Sequence, residues 1–157
     1  MKRIVIFDLD ETVVDSAHRT PNNEDGTLNL PLYLQLKTRE NTFKDGLLPL
    51  ADFWRSLDPA ENYIVVCTAR SWADFDQEFL DHHGLKAHKI VARFSERHMT
   101  MRDPDLKREG LQPFFNLKQF RNLPKIMFDD ARPVIAEMRR IGVTCLNAVK
   151  INQRLSA

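Results

Sequence analysis

Cysteine is scarce in this chain of 157 residues, and so are glycine and any excess of one charge. The two cysteines, Cys67 and Cys145, lie inside apolar runs, so they read as buried thiols and not as a disulfide framework. Five glycines and eight prolines form no low-complexity linker, and no internal repeat is visible. With 23 basic and 22 acidic residues the net charge is +1. That balance excludes a chain that coats nucleic acid by uniform positive charge, while leaving a local basic patch open. No apolar run is long enough to span a bilayer. The opening "MKRIVIFDLDET" has a basic start and a short apolar run, but it meets two aspartates at once and is no secretory signal. These absences lead to the expectation of a cytoplasmic protein with no membrane partner. The length suits one domain over residues 1–157 with its own core.

Five short runs have the character of strands covered on both faces: "RIVIF" (3–7), "YIVVC" (63–67), "KIVARF" (89–94), "KIMF" (125–128) and "VTCLNAV" (143–149). Amphipathic segments alternate with them. "LLPLADFWRSL" carries Leu47, Leu50, Ala51, Trp54 and Leu57 on one stripe and stops at Asp58-Pro59. "SWADFDQEFLDHHG" predicts a helix capped by Ser71 and ended by Gly84, with Trp72, Phe75, Phe79 and Leu80 buried. "RPVIAEMRRIG" predicts another, opened by Pro133 and stopped by Gly142. Such alternation indicates an α/β fold, a parallel sheet of about five strands flanked by helices. Ligands of such sheets bind at the carboxyl ends of the strands. Two stretches fall outside the alternation and read as small insertions beside that edge. Residues 15–45 contain a polar loop, and then "LPLYLQLKTREN", which alternates like a strand although Pro31 suits a helix start. Residues 95–124 hold "DPDLKRE" and "PFFNLKQF", two short helical candidates separated by Gly110 and Pro113.

The polar residues collect at the predicted strand ends. The first strand ends in Asp8-Leu9-Asp10-Glu11-Thr12, the second in Thr68-Ala69-Arg70, and the fourth in Asp129-Asp130. In a parallel sheet these ends share one edge, and carboxylates gathered there need a cation to stay ionised together. Mg²⁺ suits them, because it takes oxygen ligands and keeps waters for a substrate phosphate.

"FDLDETV", "VVCTAR" and "IMFDD" resemble three motifs of the haloacid dehalogenase (HAD) superfamily of phosphohydrolases, in the same order and spacing, across residues 3–149. Glu11 stands where that superfamily more often has Gly. "DSAHR", "RDPDLKREGL" and "RRIGVTC" resemble segments of the 3′-phosphatase domain of phage polynucleotide kinase–phosphatases, without a Gly-rich kinase loop. The resemblance implies a HAD-like Rossmannoid sheet with minimal caps and a Mg²⁺-dependent phosphatase. It also implies Asp130 as a direct metal ligand with Asp129 orienting it, and substrate contacts from Thr12, Arg19, Arg70 and Asp103.

The residues themselves support roles. A carboxylate nucleophile needs no base at neutral pH, and a cation removes its repulsion from phosphate. Asp8 is the expected nucleophile, passing through an aspartyl-phosphate. Asp10 is the expected general acid–base, with its pKa raised by crowding carboxylates. The metal set is Asp8, Asp10 through its main-chain carbonyl, and Asp129 or Asp130. Thr68 offers a hydroxyl and an N–H to the phosphoryl oxygens. A fixed cation beside the transferring group is also required. Lys107 leaves 21 residues before Asp129 and Lys118 only ten, which favours Lys107. Arg19 and Arg70 suit phosphate gripping, or structural ion pairs with Asp15 or Asp74. The expected substrates are nucleic-acid 3′-phosphate ends or nucleotides. A protein phosphoserine or phosphothreonine, or a small phosphorylated metabolite, is the alternative. A non-enzymatic phospho-acceptor module fits poorly, because "KIVARF" ends without an Asp.

Overall fold

The computed structural model describes residues 1–157. Its strands are β1 (Arg3–Phe7), β2 (Val14–Asp15), β3 (Gly46–Leu47), β4 (Asn62–Ser71), β5 (Lys89–Arg93), β6 (Lys125–Asp129) and β7 (Thr144–Asn147). Its helices are α1 (Leu30–Leu36), α2 (Arg39–Thr42), α3 (Leu50–Ser56), α4 (Asp74–His82), α5 (Glu96–Met99), α6 (Asp103–Phe115), α7 (Arg132–Arg140) and α8 (Ala148–Leu155). Five strands form one sheet in the order β5-β4-β1-β6-β7, with every pairing parallel. The expected α/β architecture is therefore present, at nearly the expected strand boundaries. None of the helices is long and apolar enough to cross a membrane.

Successive residues of β1 point to opposite faces, and both faces are buried. Val5 and Phe7 pack with Leu50 and Trp54 of α3, Phe79 and Leu80 of α4, and Ala148 of α8. Ile4 and Ile6 pack with Leu111 of α6 and with Val134 and Met138 of α7. The rings of Phe7 and Trp54 stack at 4.8 Å between centroids. Cys67 and Cys145 are buried and unpaired, as their apolar runs predict.

The strand order reverses beside β1: β4 and β5 lie on one side of it, β6 and β7 on the other. A crevice opens at such a switch point beyond the carboxyl ends of the strands. There the chain leaves β1 through a tight turn in which Thr12, Val13 and Val14 all donate N–H groups to the Leu9 carbonyl. Glu11 in that turn has φ 58°, the left-handed region that favours glycine. The antiparallel pair β2–β3 follows, and residues 16–45 form an excursion between its two strands.

One open reading is resolved and two local expectations are corrected. "LPLYLQL" is helix, with Pro31 in its first turn and the Asn29 side chain accepting the Leu32 N–H at 3.2 Å. Ser71 is no cap, because β4 continues through it; the Asp76 carboxylate instead accepts the Ala73 N–H at 2.9 Å. Gly110 and Pro113 do not separate two helices: α6 runs unbroken through both and ends at Phe115, with Pro113 in its last turn, and the rest of "PFFNLKQF" is turn. Gly110 does not break α6 but lets it lie close to β5. A Cβ there would sit 2.3 Å from Cγ1 of Val91.

Candidate active site

The register of the sheet assembles the acidic residues. Phe7 pairs with Val66 on one side and Phe128 on the other, so Asp8 emerges between Cys67-Thr68 and Asp129. The Asp8 N–H donates to the Phe128 carbonyl at 3.1 Å, which fixes this juxtaposition. Carboxylate oxygens of Asp8, Asp129 and Asp130 all lie within 4.8 Å of one another.

Lys107, reaching in from α6, is 1% exposed. Its ammonium lies 2.7 Å from Asp129, 3.2 Å from Asp103 and 3.3 Å from Asp8. Asp103 and Lys107 are one helical turn apart, so both face the same point. Lys118 is exposed on the segment after α6. Three carboxylates thus meet a single lysine, with Asp130 a fourth beside Asp8 and Asp129, and the excess negative charge is of the kind a divalent cation relieves. Burial pushes the Asp8 carboxyl well above the ordinary carboxylate range; Lys107 opposes this, while Asp129 and Asp130 add to it. Asp129 and Asp130 are raised by burial as well. Both oxygens of Asp129 are engaged: one accepts from Lys107 at 2.7 Å, the other from the Ala131 N–H at 2.9 Å. The donor set is all oxygen, which matches Mg²⁺.

Asp10 differs from expectation. Crowding by other carboxylates does not dominate it. Burial raises its pKa, but the charge and hydrogen bonds of Arg70, helped by Ser16, bring it down to about 2. Arg70 donates to Asp10 at 2.9 and 2.6 Å, and the Ser16 hydroxyl donates to it at 2.7 Å. Arg70 also donates to the buried Asp76 at 3.0 Å. Arg19 is buried and donates twice to Asp45, at 2.9 and 2.8 Å, and His18 meets the same carboxylate at 2.7 Å. Both arginines are held in ion pairs, though with neither Asp15 nor Asp74. Asp45 and Asp10 lie far in sequence from the arginines they meet, so no local pattern marks those pairings; Asp76 alone is near, six residues after Arg70. Thr12 is buried and donates to Asp8 at 3.4 Å. Thr68 is buried too, and its hydroxyl accepts the Arg70 N–H at 3.2 Å.

Part of this cluster forms the floor of a hollow of about 590 Å³, while Thr12, Arg19, Thr68, Lys107 and Asp129 lie behind its surface. Asp8, Asp10, Asp103, Asp130 and Arg70 line it from below. Its upper wall comes from the two insertions, with Leu28, Leu30, Tyr33, Leu34 and Lys37 from the first and Met99 from the second. Nothing in the sequence singles out these wall residues, because leucines alternating along a helix carry no chemical motif. A second hollow of about 450 Å³, between Leu48-Pro49 and α8, touches this region only through Glu11 and holds no reactive cluster.

A sequence profile described as bacteriophage T5 5′-deoxynucleotidase matches residues 1–157. The chain belongs to that family. The 5′-deoxynucleotidase of Escherichia phage T5 is 31% identical to it over 90 residues, covering 55% of this chain and 37% of the relative. The matched part is therefore well under half of that relative's length. Among solved structures, a chain of the Pnkp1/Rnl/Hen1 RNA repair complex superposes with a TM-score of 0.69 at 17% identity, over 94% of this chain and 42% of that one. A haloacid dehalogenase-like hydrolase from Streptococcus pneumoniae gives 0.64 at 14% identity, over 96% and 90%. A HAD-superfamily hydrolase from Geobacter sulfurreducens gives 0.61 at 13% identity, over 98% and 96%. At these identities the likeness is one of fold, and the fold is that of HAD hydrolases.

Proposed function

We propose that this protein removes the 5′-phosphate from deoxynucleoside monophosphates through an aspartyl-phosphate at Asp8. One observation carries the reading: Asp8, Asp10, Asp130 and Arg70 share the floor of a hollow of nucleotide size, about 590 Å³. Family membership supports the substrate class. The expectation of nucleic-acid 3′ ends rested on short segments such as "RDPDLKREGL"; the wall over the hollow favours a mononucleotide.

Asp8 and Asp130, with the main-chain carbonyl of Asp10, would hold Mg²⁺, since both oxygens of Asp129 already have donors. Bound there, the ion screens the repulsion between the nucleophile and a phosphate dianion. Asp129 fixes Lys107, and Lys107 supplies a second positive charge beside the transferring phosphoryl group. A carboxylate oxygen of Asp8 bonds to phosphorus as the bond from phosphorus to O5′ breaks. The leaving oxygen takes a proton from Asp10. Water then attacks phosphorus, its proton passes to Asp10, and phosphate and free Asp8 result. As it stands, Asp10 is clamped ionised by Arg70. Proton donation therefore needs that clamp to loosen as the phosphate arrives and competes for the guanidinium, and Asp10 then to take up a proton from solvent before the bond to O5′ breaks; the attacking water restores it.

The test is a panel of 5′- and 3′-deoxynucleoside monophosphates and 3′-phosphorylated oligonucleotides, with Mg²⁺ and with chelator. Release of phosphate from the 5′-monophosphates, dependent on Mg²⁺, is expected. Preference for the oligonucleotide 3′ ends, or undiminished turnover after chelation, would refute the proposal.

A further inference from the structure

The reactive floor makes no use of the apolar wall above it. Helix α1 has the sequence Leu30-Pro31-Leu32-Tyr33-Leu34-Gln35-Leu36, yet none of its residues is buried. So short a helix is marginal without tertiary support, and an apolar face left this open marks a binding surface. Leu30, Tyr33, Leu34 and Lys37 stand at helical spacing i, i+3, i+4 and i+7, which puts them on one face, and all four line the hollow. Leu30 is 54% exposed and Leu34 59%. Met99, 49% exposed, stands with them in the same hollow. The helix is tied at both ends. At its start the Asn29 N–H donates to the Pro21 carbonyl at 2.9 Å, and the Lys37 ammonium, just past its end, donates to the Ser71 carbonyl. This holds the apolar face over the carboxylates.

We propose that this face of α1 is the nucleobase subsite, with Tyr33 as the stacking residue and Leu30 and Leu34 extending the apolar surface. The proposal rests on the reading of the floor as a 5′-nucleotide phosphatase. Continuity is the argument for the occupant. The same hollow holds Asp8 and Asp130 at its base, so a phosphate placed there directs the rest of its molecule toward the wall. A flat π-system with polar edges suits an aromatic ring bounded by leucines, and Tyr33 is the one aromatic residue lining the hollow. Tyr33 is thereby a specificity-determining residue that takes no part in the bond changes.

The test compares a 2′-deoxynucleoside 5′-monophosphate with 2-deoxyribose 5-phosphate, which offers the same reacting group without a base. Wild type, Tyr33→Ala and Tyr33→Phe are assayed, and thermal melts confirm that each is folded. Stacking of this kind is expected to give the wild type a preference in kcat/KM of about tenfold or more. Tyr33→Phe retains that preference. Tyr33→Ala reduces it to within about threefold of unity, chiefly through KM for the nucleotide. Leu34→Ser, at an exposed position that the fold tolerates, lowers the same ratio and guards against a folding defect at Tyr33. A wild-type ratio near one, or a ratio unmoved by Tyr33→Ala and Leu34→Ser, overturns the base subsite while leaving the phosphatase standing. No turnover of either compound by the wild type overturns the phosphatase reading itself, and the base subsite with it.

Discussion

Replacing Lys107 with Met removes the only cation among four carboxylates while keeping a flexible side chain of similar length. Lys107 is 1% exposed and lies within 3.3 Å of Asp8, Asp103 and Asp129. Breaking a buried ion pair from one side leaves uncompensated charge and costs about 3–5 kcal/mol. Domain stability is about 5–15 kcal/mol, so this is a large fraction of the whole. At about 2–4 °C per kcal/mol for a chain of this size, the melting temperature falls by about 6–20 °C at neutral pH. The deficit depends on pH in a definite direction. Burial already holds the Asp8 and Asp129 carboxyls above their ordinary values, with Lys107 opposing. Without Lys107 both rise further. A carboxyl whose folded pKa is raised contributes stability below the unfolded value of about 4, and loses that contribution as pH rises through the folded value. The variant is therefore closest to wild type at about pH 5 and furthest from it at about pH 8. Added Mg²⁺ narrows the gap at neutral pH, because a ligand of the folded state stabilises it by mass action. Urea unfolding at several pH values, with and without Mg²⁺, measures all of this. A deficit that is constant with pH, or larger at about pH 5 than at about pH 8, would refute the electrostatic account of Lys107.

Three further outcomes are expected. Asp8→Asn abolishes phosphate release yet melts at or above the wild-type temperature at neutral pH without Mg²⁺, because it removes a buried charge whose pKa burial has raised; a marked loss of stability contradicts this. Asp45→Ala strips the buried Arg19 of its two-pronged partner and costs about 3–5 kcal/mol in denaturant unfolding, whereas a change below about 1 kcal/mol counts against the pairing. Gly110→Ala, which at an ordinary helix position gains up to about 1 kcal/mol, here destabilises by about 1–3 kcal/mol through the contact with Val91; a gain in melting temperature contradicts the close approach of α6 to β5.

The sheet was legible because each of its strands is covered on both faces and so reads as a continuous apolar run. The acidic floor was legible because it lies directly after such runs: Asp8 and Asp10 follow β1, while Asp129 ends β6 and Asp130 follows it. Lys107 over Lys118 followed from the length of chain left before Asp129. Where the sequence misled, a contact distant along the chain had overridden a local signal. Gly110 and Pro113 look like helix breakers, yet α6 runs through both, because Gly110 meets Val91 and Pro113 falls in the last turn. The partners of Arg19 and Arg70 were misplaced because Asp45 reaches Arg19 only after the excursion between β2 and β3 has folded back, and Asp10 meets Arg70 across sixty residues; Asp76, the near partner of Arg70, lies two residues past the Asp74 expected. The expected rise in the pKa of Asp10 failed for the same reason: Arg70 lies sixty residues away in sequence and 2.6 Å away in space.

The central claim is that Asp8 becomes phosphorylated. Acid-quenching the enzyme during turnover of a deoxynucleoside 5′-monophosphate, then mapping peptides by mass spectrometry, tests it directly. One phosphoryl group on the peptide containing Asp8, chased away by excess unlabelled substrate and missing from Asp8→Asn, is the result expected. Turnover at full rate by Asp8→Asn, or a phosphoryl group trapped on any other residue, would contradict the account.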